Sequence, residues 1–578
     1  MKKLFSGNEA VARGAFEAGV QVAAAYPGTP STEILENIAQ YPQIYAEWSV
    51  NEKVAFEVAY GAAVAGKRAL AAMKHVGVNV ASDALMTAAY AGVNAGMVLV
   101  SADDPGMHSS QNEQDNRYFA RFAQIPMLEP SSSAEAKAFV KLAFEISETF
   151  DTPVMLRMTT RICHGQGIVE LEEPQPVVTR PYVKNAQKYV MMPAYARVRR
   201  TVLLERMRRL AEYSETTPLN RVEEGDAEIG IITAGVSYTY AREVFPNASF
   251  LKLGMTNPLP MRKIAEFISR HRQVYVIEEL EPFMEEQIKA AGLQVRGTDL
   301  QSTAGELSPD VLRRRFFGTV PKKSAGNDLP ARPPVMCAGC PHRAVFSVLR
   351  KHRAVVSSDI GCYTLGALQP LNAIDSVLCM GASVGMAQGY ARMLEPDRPV
   401  VAVLGDSTFI HAGIPALVNA VYNRVKMTVV ILDNRITAMT GHQQNPASGK
   451  TLQGEQVPVF DFEAVARAVG AAYVRTVDPI ETEALEQAIG EALACDGVSV
   501  IIASRPCALV DRHQYTGVMA IDKDTCSECR LCLRIGCPAM SLRDGSVVIN
   551  SDLCFGCSLC SQICPKESIH RTRVNVEG

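Results

Sequence analysis

Eight of the fifteen cysteines in this chain crowd into its carboxyl-terminal tail, in two runs spaced CxxCxxCxxxxCP and CxxCxxCxxxCP. The first run holds Cys526, Cys529, Cys532 and Cys537; the second holds Cys554, Cys557, Cys560 and Cys564. Three thiolates at this spacing wrap one corner of an iron–sulfur cubane, while the fourth, followed by proline, points toward a neighbouring cluster. The pattern predicts crossed ligation. Cys526, Cys529 and Cys532 would share one 4Fe-4S cluster with Cys564, and Cys554, Cys557 and Cys560 would share the other with Cys537. A zinc ribbon also uses CxxC pairs, but it gathers four ligands around one ion instead of triplets with a distant partner. The first run has four residues before its last cysteine where the bacterial pattern has three, so that loop should bulge, with consequences for the second cluster's potential. An offset of 28 places Ile521 on Ile549, Asp524 on Asp552 and three cysteines on three cysteines, as duplication of a small unit would.

A second set of chemical groups lies upstream. "RPVVAVLGDS" is an apolar strand ending in Gly405, Asp406 and Ser407, and "KMTVVILDN" is another ending in Asp433 and Asn434. The helical spacing of "GIPALVNAVYNR" between them makes a βαβ unit, whose ligands sit at the carboxyl ends of the strands. A carboxylate and an amide oxygen emerging there suit Mg²⁺, whose remaining positions go to phosphates and water. The segment resembles the thiamine diphosphate motif, GDG and then NN after about 25 residues; here GDS is followed by 25 residues and DN. The resemblance makes Asp406 and Asn434 side-chain ligands of Mg²⁺ and Ile436 the carbonyl ligand. Such a cofactor needs a carboxyl group beside its aminopyrimidine ring. Glu52 in "EWSVNEKVAFE", at a helix start, is the candidate. On spacing alone Ser49 and Glu52 also form the SxxE of a capping box, in which the glutamate would only satisfy the helix terminus.

The elements that must hold these groups follow from patterning. From residue 1 to about 170, apolar runs such as "VQVAAAYP", "ALAAMK", "MVLVSADDP" and "PVMLRM" alternate with helical stretches, as in a parallel sheet covered by helices. "EIGIITAG" and "QVYVIEEL" supply a smaller α/β unit, and "GTVPKKSAGNDLPARPP" reads as a linker. A chain of 578 residues exceeds one core, and about four domains are expected. With 47% hydrophobic residues and a net charge of -3, nothing suggests nucleic acid. "RVRRTVLLERMRR" is locally basic and reads as the solvated or subunit-facing side of a helix. The start has no long apolar core typical of a secretory signal, and the uncharged stretch from Ala84 to Ala102 divides into a short helix and a strand at Gly92, Asn94 and Gly96. A cytoplasmic protein that spans no membrane is expected, its cysteines serving metal or redox chemistry instead of structural disulfides.

"GNEAVARGAFEAGVQVAAAYPGTPSTE", "NEKVAFE", "MKHVGVN" and "DDPGMHSSQNEQDNR" resemble the pyrimidine-binding domain of 2-oxoacid:ferredoxin oxidoreductases, and most closely that family's indolepyruvate-oxidising alpha subunits. "CAGCPHR", "DIGCYTLG" and "LDNRITAMTGH" extend the resemblance, and the tail is similar to a two-cluster ferredoxin. The resemblance implies a multidomain α/β fold. Its expected parts are a doubly wound pyrimidine domain at 1–180, a connector at 181–225, a transketolase C-terminal-like α/β domain at 226–317, a linker at 318–334, a doubly wound diphosphate domain at 335–515 and an α+β ferredoxin domain at 516–578. It makes Glu52 the carboxylate facing the aminopyrimidine and puts Thr29 of "YPGTP" against the substrate. It brings Gly361, Cys362 and Tyr363 to the cofactor with Gly405 and Ser407, and places His75 and His442 at the cleft. The family's gamma-type domain is not among these motifs, which implies a small gamma-type beta subunit and a hetero-oligomer such as (alpha-beta)2.

Cys337, Cys340, Cys362 and Cys507 match, in order and context, four cysteines that bind a third cluster in pyruvate-oxidising relatives. Reduced buried thiols or a zinc site are the alternatives. Cys163, Cys379 and Cys495 lack spacing partners and read as core residues. The implied activity is oxidative decarboxylation of aryl pyruvates, indolepyruvate foremost, with CoA as acyl acceptor and ferredoxin as electron acceptor. The rival readings are another 2-oxoacid specificity, a non-redox thiamine-dependent decarboxylase, and an electron-transfer subunit.

Overall fold

The computed structural model describes residues 1–176, 179–300, 303–318, 333–395 and 397–572. The chain divides into two compact units, Met1–Asn327 and Asp328–Gly578. Most of the expected linker at 318–334 lies outside the described residues, as do residues 573–578.

The first unit is built on a seven-stranded sheet in the spatial order Met255–Asn257, Met127–Leu128, Val154–Thr159, Met97–Asp103, Ala69–Lys74, Val22–Ala25 and Tyr45–Trp48. All neighbours are parallel except the edge pair of Met255–Asn257 with Met127–Leu128. Strands buried on both faces read as unbroken apolar runs. "ALAAMK" and the strand Met97–Asp103 are buried at every residue, as such a sheet requires. After Val22–Ala25 the chain adds a strand on one side, then crosses to Ala69–Lys74 on the other. The carboxyl ends of those two strands therefore form a topological switch point, where doubly wound sheets bind ligands. A second, four-stranded sheet holds Gln273–Ile277, Asp226–Ala234, Ala248–Leu253 and Arg221–Glu223 in that order.

The Arg-rich stretch lies in the helix Pro193–Thr216, where two of its arginines pack inside the unit instead of on the solvated or subunit-facing side expected. Arg197, Arg208 and Arg209 are exposed, but Arg206 is buried and donates to the Ala89 carbonyl at 2.6 Å. Arg199 donates to the carbonyls of Tyr90 at 2.9 Å and Ala91 at 3.0 Å, and both arginines reach Asp151. These carbonyls end the helix His75–Ala91, where cations are favoured and acceptors lack intrahelical donors. The uncharged stretch is that helix's second half followed by the strand Met97–Asp103, and among the described residues no helix is long and apolar enough to cross a membrane.

The second unit carries a six-stranded parallel sheet in the order Ser376–Val377, Val355–Ser358, Val400–Gly405, Met427–Asp433, Val498–Ser504 and Tyr473–Val477. Its order reverses between Val355–Ser358 and Val400–Gly405, so those ends form another switch point. The cysteine-rich tail follows, with two antiparallel ribbons, Val518–Ile521 with Ile569–Thr572 and Met540–Arg543 with Ser546–Ile549.

Candidate active site

In the first unit the switch point gathers Thr29, Lys74, His75 and the start of the helix His75–Ala91. Thr29 is half-buried in the loop after Val22–Ala25, and its carbonyl accepts from Ser109 Oγ at 3.5 Å. A side chain at Gly28 would come within 3.0 Å of Lys74 Cβ, so the Thr29 loop and Lys74 share one wall. Lys74 is buried and donates to the Ser109 carbonyl at 2.6 Å; burial pushes its ammonium down to about 8 against the pull of Asp104. His75 is fully buried, with Nε2 at 3.3 Å from Asn112 Oδ1, and burial lowers its pKa.

Glu52 opens the helix Glu52–Val64 and is buried. The capping-box alternative does not form. Asn51 caps the helix, accepting from the Val54 N–H at 2.9 Å, while Ser49 donates to Glu47 at 2.8 Å. The glutamate side chain instead lies over Gly77, where an added Cβ would sit 2.6 Å from Glu52 Cγ. Gly77 is what lets this carboxylate approach the first turn of the helix His75–Ala91.

In the second unit Asp406 and Asn434 follow adjacent parallel strands, as the βαβ reading requires. Asp406 is 3% exposed; burial, reinforced by Asp433, pushes its carboxyl up to about 7. Its Oδ1 accepts the Ser407 N–H at 2.5 Å, whereas Oδ2 has no hydrogen-bond partner among the described residues. Asn434 Oδ1 accepts the Ile436 N–H at 3.2 Å across a sharp turn in which Arg435 takes φ +62°, a strained value for a residue with a side chain. The Tyr363 ring packs so closely on Gly361 and Gly405 that a Cβ there would sit 2.3 and 2.9 Å from it, and its hydroxyl lies 3.1 Å from Thr408 Oγ1. His442 takes φ +67° directly before Gln443, which closes a turn with Thr437.

The cysteines form three groups. Cys526, Cys529, Cys532 and Cys564 line one small cavity of the tail; Cys537, Cys554, Cys557 and Cys560 line another. These are the two crossed quartets read from the spacing. Cys337, Cys340, Cys362 and Cys507 are near enough to affect one another's charge. Burial pushes the Cys340 thiol up to about 12, and the Cys362 thiol up to about 11 with Cys337 and Cys507 adding to it. The Cys507 N–H donates to the Asn434 carbonyl at 3.1 Å, tying this group to the strand end beside Asp406. Cys163 is buried as expected, but Cys379 is exposed and Cys495 half-buried. The Cys379 carbonyl accepts the Ala382 N–H, which places this cysteine in the turn opening the helix Ala382–Met393, outside the apolar core.

Three family models match. "Pyruvate flavodoxin/ferredoxin oxidoreductase, thiamine diP-bdg" covers residues 13–229, "Thiamine pyrophosphate enzyme, C-terminal TPP binding domain" covers 359–503, and "4Fe-4S binding domain" covers 547–570. The indolepyruvate oxidoreductase subunit IorA of Archaeoglobus fulgidus is 42% identical, over 99% of this chain and 98% of its own length. That of Methanothermobacter marburgensis is 43% identical over 97% and 96%, and that of Pyrococcus horikoshii 40% over 99% and 97%. The chain belongs to the indolepyruvate ferredoxin oxidoreductase alpha-subunit family. It is an oxidoreductase of the 2-oxoacid:ferredoxin kind, with thiamine diphosphate and iron–sulfur clusters as cofactors.

The residues present fit those groups. A buried carboxylate oxygen without a donor, next to an amide oxygen, is a set that a hard cation completes. Among the described residues no three His, Cys, Asp or Glu side chains converge closely enough to hold one ion, and the tail cysteines instead surround cavities, as a multi-iron cube requires. Lys74 escaped the sequence reading, and His342 was legible there only as one of several isolated histidines near the recognised phrases. Lys74 has no spacing partner, and only the switch point reveals its place. His342 of "CAGCPHR" is fully buried with its Nε2 at 3.5 Å from Asn434 Nδ2, and burial pushes it down to about 4, so it stays neutral beside the strand end.

Proposed function

We propose that this chain oxidises aryl pyruvates, indolepyruvate foremost, with CoA. One 2-oxo acid anion and one CoA thiol give aryl-acetyl-CoA, CO₂, one proton and two electrons, which pass singly to ferredoxin. The observation that carries the reading is Asp406: a buried carboxylate with an unpartnered oxygen, beside Asn434, whose own carbonyl is bonded to the amide of Cys507. Cation-binding and cluster-binding groups are thereby contiguous.

Thiamine diphosphate supplies carbanion stabilisation when bound, and the clusters supply one-electron steps. Asp406, Asn434 and the Ile436 carbonyl hold Mg²⁺, while Gly361, Cys362, Tyr363, Gly405 and Ser407 form the diphosphate floor. Glu52 holds a proton toward the aminopyrimidine nitrogen. Thr29 and the Lys74 ammonium orient the oxo acid, Lys74 through its carboxylate, and His75 and His442 line the cleft. Cys526, Cys529, Cys532 and Cys564 hold one tail cluster, Cys537, Cys554, Cys557 and Cys560 the other, and Cys337, Cys340, Cys362 and Cys507 a third. Domain limits at 1–180, 226–317, 335–515 and 516–578 accompany this reading. A small gamma-type beta subunit completes the enzyme, consistent with relatives that are themselves named as subunits.

Viologen reduction by the chain co-expressed with a gamma-type subunit tests the proposal. Aryl 2-oxo acids should outpace aliphatic ones, and turnover to the acyl product should need CoA. Aldehyde production at full rate without any electron acceptor would reassign the chain to non-redox decarboxylation.

A further inference from the structure

We propose that Arg343 raises the reduction potential of the tail cluster ringed by Cys537, Cys554, Cys557 and Cys560, and that Gly536 is inserted in the first cysteine run to seat it. Arg343 lies in the first turn of the helix His342–Lys351, directly after Cys337 and Cys340, and is 2% exposed. Its Nη1 donates to the Ile535 carbonyl at 3.0 Å and to that of Gly536. Its Nη2 donates to the carbonyls of Met336 and, at 3.2 Å, Cys337, and Nε donates to Cys337 at 3.3 Å. One guanidinium thus binds the CxxC loop of the diphosphate-type sheet to the loop that presents Cys537.

All these acceptors are neutral carbonyls. A buried cation without an anion is costly, and a cation in the first turn of a helix also opposes the helix dipole. The position makes electrostatic sense once an anion lies alongside. Arg343 itself lines the cavity of Cys537, Cys554, Cys557 and Cys560, and its charge reaches Cys337 and Cys340 on one side and Cys537 and Cys557 on the other. A thiolate-ligated cubane is net anionic and gains a further negative charge on reduction. A fixed buried cation therefore favours the reduced form.

The extra residue of the first run supports the same role. Matching Ile535 to Ile563 and Cys537 to Cys564 leaves Gly536 without a counterpart. It takes φ +67°, its carbonyl accepts from Arg343, and a Cβ would stand 2.9 Å from Pro370 Cδ and 3.4 Å from Arg343 Nη1. The other tail cavity has Arg530 and Lys566 on its lining, but both are exposed, where water screens charge. Two duplicated clusters are thereby made unequal, the inner one being the easier to reduce.

The inference rests on the proposed cysteine quartets, and the two can fail separately. In the full chain, Cys554→Ser should lose four irons and one reduced-cluster EPR signal, which identifies the inner cluster; unchanged iron would sink the quartet. With that signal assigned, potentiometric titration of the unmodified chain should show the inner cluster at least tenfold more reduced than the outer at a common potential, about 59 mV for one electron. Equal midpoints overturn the proposal. Arg343→Gln should lower the inner cluster's reduced-to-oxidised ratio tenfold at fixed potential, whereas Arg343→Lys, which keeps the charge and loses most of the carbonyl bonds, should stay within about threefold of the parent. A Lys variant that shifts as far as the Gln variant, or a Gln variant with full iron and no shift, would make Arg343 a mechanical staple only.

Discussion

Lys74 and Asp406 carry opposite charges in similarly dry surroundings, and each leads to a measurement. With its ammonium near 8, Lys74 is cationic below that pH and neutral above it. If it holds the substrate carboxylate, kcat/KM for the oxo acid should be flat below pH 8 and fall about tenfold per unit above it. Lys74→Met should lower kcat/KM and remove that descending limb. Asp406→Asn should weaken Mg²⁺-dependent binding of thiamine diphosphate by at least about 100-fold, the upper end of what even indirect metal contacts cost. Calorimetry on the anaerobic protein reads this directly. At this scale the sequence was informative where chemistry repeats at a fixed interval. The tail cysteines could be read for that reason, and the GDS to DN pair through its resemblance to the thiamine diphosphate motif. On spacing alone Glu52 was ambiguous because SxxE is also a cap, and the structure removes the cap by giving that place to Asn51. Lys74 could not be read, and His342 could not be ranked above other isolated histidines, since burial and neighbours, not spacing, distinguish them.

Among the elements, the helix Pro193–Thr216 illustrates what patterning misses. Its arginines look solvated by composition, yet Arg199 and Arg206 close the carboxyl end of the helix His75–Ala91. Arg206→Ala should cost about 2 kcal/mol, the loss of a buried charge-assisted hydrogen bond. The cost should appear as faster amide hydrogen exchange in the last turn of His75–Ala91, with the first turn unchanged. The parallel strands were legible because strands buried on both faces are unbroken apolar runs. The edge strand Met255–Asn257 was not, because three residues carry no period and its pairing with Met127–Leu128 joins segments far apart in the chain.

For the whole molecule the decisive quantity is iron. If Cys337, Cys340, Cys362 and Cys507 bind a third cluster, the reconstituted chain should contain about twelve irons. Cys362→Ser should then leave about eight while the tail signals persist. Equal iron in parent and variant would leave those thiols as ordinary packing. The order of the thiamine and ferredoxin parts was visible because each has its own chemical signature, whereas the approach of Cys337, Cys340, Cys362 and Cys507 from three separate segments depends on turns that no spacing shows. Asp359, Asp406 and Asp433 all lie buried at the tips of three neighbouring strands, and Asp359 already takes the amides of Ala382 and Ser383 that open the following helix. Burial raises the Asp359 carboxyl to about 6 and that of Asp406 to about 7, so above pH 7 these tips are anionic and an incoming pyrophosphate would meet repulsion there. A divalent cation that reverses the local sign should therefore be needed for the coenzyme to enter, and apoenzyme stripped by a chelator should bind it far more weakly than the metal-replete protein.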